Sequence, residues 1–244
     1  NLKTGDSSII AETSCWNVQQ GCMLQWLGPT YDRKIIFNDF YKDRYCAKIV
    51  DIIDHSERII DFPIYTVSQD GKKALSLDFS RLQSFRPGYG YINIKDNTKY
   101  EKCPDAPCIW YVDLEKNEYH PILTYQQLYN FETKDNMKNA YHKVNHLMIN
   151  PSGNRLMFLH RWINEGIKYD RLLTSNLDGT DLYNLLDFDM VSHCNWIDDR
   201  RIIAFANTYE YGQGYYILTD YTQERMYLHD FPQKDGHPSI SPNG

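Results

Sequence analysis

A strand–turn–strand pattern recurs along the chain and leaves few architectures open. "YTVSQDGKKALSLDF" begins at Tyr65, "LMINPSGNRLMFLHRW" at Leu147 and "CNWIDDRRIIAFANT" at Cys194. A weaker copy, "MLQWLGPTYDRKIIFNDF", begins at Met23, and "PSISPNG" from Pro238 repeats the first strand and its turn. Each copy reads as a strand, a tight turn of Asp, Pro, Asn or Gly, then a strongly apolar strand where one is present. Turn residues of this kind supply the φ values that hairpins need. Two further strands follow each complete pair. "DRLLTSNLDGTDLYNLL" is the clearest third-and-fourth pair, with "NLDGT" as its hairpin turn.

The unit is therefore four antiparallel strands, recurring every forty to fifty residues or so, which falls in the propeller range. The expected fold is all-β: a β-propeller of four-stranded antiparallel blades, with about four blades and the first strand of a fifth, an incomplete ring. Residues 1–244 read as a single propeller domain truncated at its C-terminus. Val67, Ile149, Trp196 and Ile240 fall at equivalent places on the inner strands. Two stretches exceed the repeat. Residues 78–108 read as a long loop within the second blade, and residues 125–142 as a loop with a short helix joining two blades. Long loops in compact domains are more often functional than idle.

Composition agrees with β structure. Aromatic residues make up 14% of the chain, with twenty tyrosines, and these side chains suit a pleated, half-buried surface. The formal charge is −6 and no Lys/Arg block stands out, so a nucleic-acid partner is not expected. No apolar run approaches the roughly 20 residues that span a bilayer. Cys15, Cys22, Cys46, Cys103, Cys108 and Cys194 lack the paired spacing of a structural zinc site. Cys103 and Cys108 flank the rigid "PDAP" turn, as a local disulfide or as two free thiols. That leaves the compartment open, with a cytoplasmic location favoured over a periplasmic one.

Seven residues before the same turn position stand His146, His193 and His237, with Ile64 in the earlier copy. In a propeller the first strand of each blade lines the central channel, so equivalent positions on neighbouring inner strands face one space. Imidazole is the commonest protein ligand for Mn, Fe or Zn, and three together make a metal or substrate cradle. Antiparallel pairing brings the end of the second strand beside the start of the first, so His160 or Arg161 is expected near His146. His142, Asn145 and Gln233 are further polar candidates at this mouth. Tyr89 and Tyr91, with Arg86, place aromatic and cationic groups on the long insertion, a pairing suited to sugars.

From Val144 to Gly244 the chain resembles the oligogalacturonate lyase family within the TolB-like propellers. The resemblance rests on "NHLMINPSGNRLMFLHRW", "LLTSNLDGTDLYNLL", "SHCNWIDDRRIIAFA" and "GHPSISPNG", above all on the histidine opening each inner strand and on "LHRW". It implies a seven-bladed propeller that binds Mn²⁺ through histidines and a glutamine and cleaves uronate-containing oligosaccharides by β-elimination. It maps His193 and His237, with Gln233, onto metal ligands. It puts His146 and His160 in the same pocket, with Arg155 or Arg161 as an arginine base; histidine bases of related lyases leave His146 or His160 eligible. The implied partner is an acidic oligosaccharide. The competing class is a non-catalytic propeller that binds glycan or protein through its channel mouth, and fold alone does not choose between them. A glycoside hydrolase would need two facing carboxylates, which the inner-strand pattern does not supply.

Overall fold

A computed structural model describes residues 4–241. It contains four four-stranded antiparallel sheets, each built from consecutive strands, which is the β-propeller blade arrangement in an unclosed ring. The first blade holds β1 (Gln25–Trp26), β2 (Lys34–Tyr41), β3 (Arg44–Asp51) and β4 (Glu57–Ile60). The second holds β5 (Thr66–Val67), β6 (Lys73–Leu77), β7 (Pro107–Asp113) and β8 (Glu118–Thr124). The third holds β9 (Tyr141–Ile149), β10 (Arg155–Asn164), β11 (Ile167–Asn176) and β12 (Tyr183–Leu186). The fourth holds β13 (Val191–Trp196), β14 (Arg201–Thr208), β15 (Gly212–Thr219) and β16 (Arg225–Tyr227). No helix among the described residues is long and apolar enough to cross a membrane.

Alternation along each strand drives the stacking. On β10, Leu156 and Phe158 pack toward the second blade, while Met157 and Leu159 join Trp196, Ile202 and Ala204 of the fourth. Side chains of period two thus serve two interfaces at once, and strands buried on both faces read as continuous apolar runs. The "DGT" turn locks one such interface. Gly179 has φ +81, and a Cβ there would lie 2.1 Å from the Ile122 carbonyl oxygen of the second blade. Gly179→Ala is expected to destabilise the protein by about 2–3 kcal/mol, read as a lower urea midpoint. An unchanged midpoint would show that the turn relaxes freely.

Val67, Ile149 and Trp196 lie on first strands, as the turn spacing requires. Ile240 does not. It sits in a segment without strand pairing, packed with the cluster of Ile203, Phe205 and Tyr215. A strand exists only through ladder bonds to a partner, and the described residues contain none for this segment. The turn at Pro242–Gly244 lies outside the described residues.

The insertion after β6 is not one long loop. It opens with α1 (Phe79–Phe85), capped by Asp78, whose Oδ1 accepts from the backbone N–H groups of Ser80 and Arg81 at 3.0 Å each. Its last residues already belong to β7. The linker between the second and third blades does hold a short helix, α2 (Tyr125–Asn130), with a capping box between Thr124 and Gln127. Cys103 and Cys108 are free thiols; Cys108 is on β7 and donates to the Leu123 carbonyl, while Cys103 donates to that of Tyr125.

Candidate functional site

His146, His193 and His237 line one cavity of about 330 Å³, shared with Gln19, Gln20, Tyr65, Arg86, Tyr89, Asn145, Arg161 and Ser192. The ring centroids of His193 and His237 are 3.9 Å apart, and those of His146 and His193 6.5 Å. His146 on β9 and His193 on β13 come from neighbouring blades, whereas His237 comes from the segment after β16, which is not an inner strand, so strict repetition does not place them. β9 carries a bulge opposite the Met157–Leu159 stretch, and β13 one between Val191 and Cys194. His146 sits in its bulge with φ +57, a left-handed conformation that most residues avoid. Bulges re-aim side chains and occur next to functional sites.

Two of the three imidazoles, those of His146 and His193, have a defined hydrogen-bonding state. His146 Nε2 lies 2.9 Å from the Cys194 carbonyl oxygen, so that nitrogen carries the proton. Burial pushes its pKa down to about 4, with Arg161 and His193 adding to the effect against that hydrogen bond. It is neutral at pH 7, with Nδ1 bearing the lone pair. His193 Nδ1 donates to Asp235 Oδ1 at 2.8 Å. Burial would raise the Asp235 pKa, but the bonds from His193 and Ser192 outweigh it and hold the carboxyl below its ordinary value. His237 is exposed, and its pKa is lowered by partial desolvation and by His193.

Arg161 is 3% exposed and pairs with Asp170 at 3.1 Å, while Lys168 approaches the other oxygen of the same carboxylate at 3.1 Å. One carboxylate thus serves two cations. Behind the cavity, Lys143 is 2% exposed and donates to the Phe85 carbonyl at 2.9 Å. Burial, reinforced by Arg161 and Arg86, pushes its pKa down to about 7. Arg86 lies over the Tyr89 ring with its guanidinium carbon 3.7 Å from the centroid. No carboxylate lines the cavity among the described residues, although the whole chain is acidic.

Of the residues that the sequence singled out, seven therefore meet: His146, His193, His237, Arg161, Asn145, Arg86 and Tyr89. Five do not. His160 faces away from Arg161, as alternation demands, and bonds to His142 in a buried network: His142 Nδ1 and His160 Nε2 are 2.9 Å apart. Both rings are 0% exposed. Arg155 stands six residues before Arg161 on β10, roughly 20 Å away along the strand. There it pairs with Asp220 at 3.1 Å and bonds Thr174 at 2.9 Å. Tyr91 is a core residue, stacked on Phe79 at 4.5 Å and accepting from Asn38 Nδ2 at 3.0 Å. Gln233 turns its amide to the Phe231 carbonyl at 2.9 Å and accepts from the Tyr227 hydroxyl at 2.9 Å.

The residues that sequence reasoning missed are Gln19, Gln20, Tyr65, Ser192 and Asp235. Tyr65 follows Ile64, the place where the second blade lacks its histidine, and this was the available signal. Gln19 and Gln20 belong to no repeat copy. They reach the cavity through the Asn17–Gly21 turn, where the Gln19 N–H donates to the Gly88 carbonyl at 3.1 Å. Gln19 and Gln20, with Arg86 and Tyr89, thus bring two segments remote in sequence to one cavity.

No protein-family model matches the chain, and the curated proteins contain no match. Solved structures similar to it include TolB from Acinetobacter baumannii, at 14% identity over 84% of this chain and 42% of that one, with a TM-score of 0.46. The β-propeller domain of the Trilobed protease from Pyrococcus furiosus is 14% identical over 89% of this chain and 59% of that one, TM-score 0.49. The Pyrococcus horikoshii acylaminoacyl peptidase is 14% identical over 87% and 33%, TM-score 0.48. This chain thus spans less than two thirds of each neighbour, and likenesses at this level carry nothing about activity.

Proposed function

We propose that the cavity at the channel mouth binds the carboxylate of an acidic oligosaccharide. The observation that carries this reading is the company of Arg86, Arg161 and three imidazoles around one space that no carboxylate lines. Guanidinium groups recognise carboxylates through charge-assisted bonds, and those bonds strengthen where water is excluded. Tyr89 adds an aromatic face for a sugar ring. The test is calorimetric titration with an oligogalacturonate and with its neutral galactose counterpart. Binding of the acidic sugar alone is expected, and Arg86→Glu should weaken it at least tenfold, because attraction becomes repulsion on a partly exposed side chain. Equal binding of both sugars would refute the reading.

The second reading is β-elimination on the same ligand, favoured by His146 and Tyr65. His146 Nδ1 has no hydrogen-bond partner among the described residues and offers its lone pair to the proton beside a sugar carboxylate. The Tyr65 hydroxyl accepts from Gln20 Nε2 at 3.0 Å and from the His146 N–H at 3.1 Å. Its own proton suits a departing oxygen. Arg161 would stabilise the enediolate charge. Formation of an unsaturated product, followed by ultraviolet absorbance, separates this reading from binding alone.

Mn²⁺ does not fit the donor set as well. Among the described residues, no group of three or more His, Cys, Asp or Glu is arranged to hold a metal ion. His193 and His237 supply two donors, and Gln233 is turned away.

A further inference from the structure

We infer that the acidic sugar bound here carries an apolar aglycone, held in a second lobe of the same site. This rests on the carboxylate-binding reading and extends it. A second cavity, of about 260 Å³, is lined by Met23, Leu24, Gln25, Thr66, Leu147 and Met148. It shares Gln20, Tyr65 and His146 with the cationic cavity, so the two adjoin across one wall.

The lobes differ in chemistry. The first holds Arg86 and Arg161, the latter paired with Asp170. The second presents Met23, Leu24, Leu147 and Met148, with no charged residue. The shared residues are polar, and one of their groups lacks a partner. One end of the Gln20 amide lies 3.0 Å from the Tyr65 hydroxyl, and the other end is buried with no hydrogen-bond partner among the described residues. Leaving a buried polar atom unpaired is costly. A ligand crossing this wall would meet it with a hydroxyl, which donates and accepts. Carboxylate, ring hydroxyls and apolar substituent follow in that order in an alkyl or aryl glucuronide. Unbranched neutral sugars lack the first group, and oligouronates lack the last.

The probes are methyl, butyl, hexyl and octyl β-glucuronides, which hold the charge constant while the tail grows. NMR or calorimetric titration of the whole chain should show affinity rising about twofold to fourfold per added methylene until the lobe is full. Leu24 is 59% exposed, so Leu24→Asp should leave the fold intact while flattening that rise. The slope, not the absolute affinity, is the readout. If methyl glucuronide binds and lengthening the tail changes nothing, the aglycone lobe is refuted and the carboxylate site stands. If the slope survives Leu24→Asp undiminished, the tail lies elsewhere and the inference fails. If no member of the series binds, the cationic reading falls, and this inference with it.

Discussion

Arg81→Met should lower the stability of the protein by about 3–5 kcal/mol. Arg81 lies on α1, is 0% exposed and satisfies five acceptors. Its Nε donates to the His142 carbonyl at 2.8 Å. Nη1 donates to the Thr98 carbonyl at 2.8 Å and to the Thr98 hydroxyl at 3.0 Å. Nη2 reaches the carbonyls of Glu101 at 3.0 Å and Lys102 at 3.1 Å. Methionine keeps some packing against Phe85 and Tyr125 but leaves the buried His142 carbonyl and four part-buried acceptors without their donor. Arg81→Lys should rescue little, because a single ammonium cannot reproduce a planar fork. The consequence extends to the site, since α1 leads directly into Arg86 and Tyr89. Urea unfolding followed by circular dichroism measures the loss; a change under about 1 kcal/mol would show that water replaces the guanidinium.

Acid should weaken the fold in a window set by buried histidines. Arg171 can only donate, and its Nε lies 3.1 Å from His160 Nδ1, which is therefore the acceptor. His160 Nε2 then donates to His142 Nδ1, and His142 Nε2 donates to the Met137 carbonyl at 3.2 Å. Each ring holds one proton and has no place for a second. Burial, opposed by the Met137 bond and aided by Arg81 and Arg171, lowers the His142 pKa to about 4; burial, Arg171 and His142 lower that of His160 well below its ordinary value. As pH falls from about 6.5 the unfolded chain takes up protons that the folded protein refuses. The contribution of these two histidines is thus full above pH 6.5 and declines toward pH 4, by about 3 kcal/mol for His142 alone. Asp39, which Lys48 and backbone bonds hold at about 2 against the effect of burial, contributes its loss only at lower pH. Urea midpoints at intervals between pH 7.5 and 4.5 measure the slope. A flat profile across that range would mean that these histidines are not neutral in the folded state.

The blades were legible because their cause is local. Turn residues at fixed spacing and apolar runs of strand length specify hairpins without reference to distant partners. The same spacing singled out His146, His193 and His237, which line one cavity, although bulges in β9 and β13 and an unpaired segment at His237, rather than equal heights on neighbouring strands, put them there. α1 was hidden in the insertion because seven residues carry too little periodicity to register. Its signals were the Asp78 cap and the Phe79–Leu82 spacing.

Which neighbours of those histidines share the cavity was decided by tertiary structure. His160 and Arg161 are adjacent in sequence and point to opposite sides of β10, so one joins a buried relay and the other the site. That choice follows from register, which sequence spacing does not specify across a bulge. The Gln20–Tyr65 and His146–Tyr65 bonds join residues 45 and 81 positions apart, and no local pattern encodes such pairs. Strand periodicity is written residue by residue along the chain. The identity of the groups that meet across blades depends on packing that exists only once the blades have stacked.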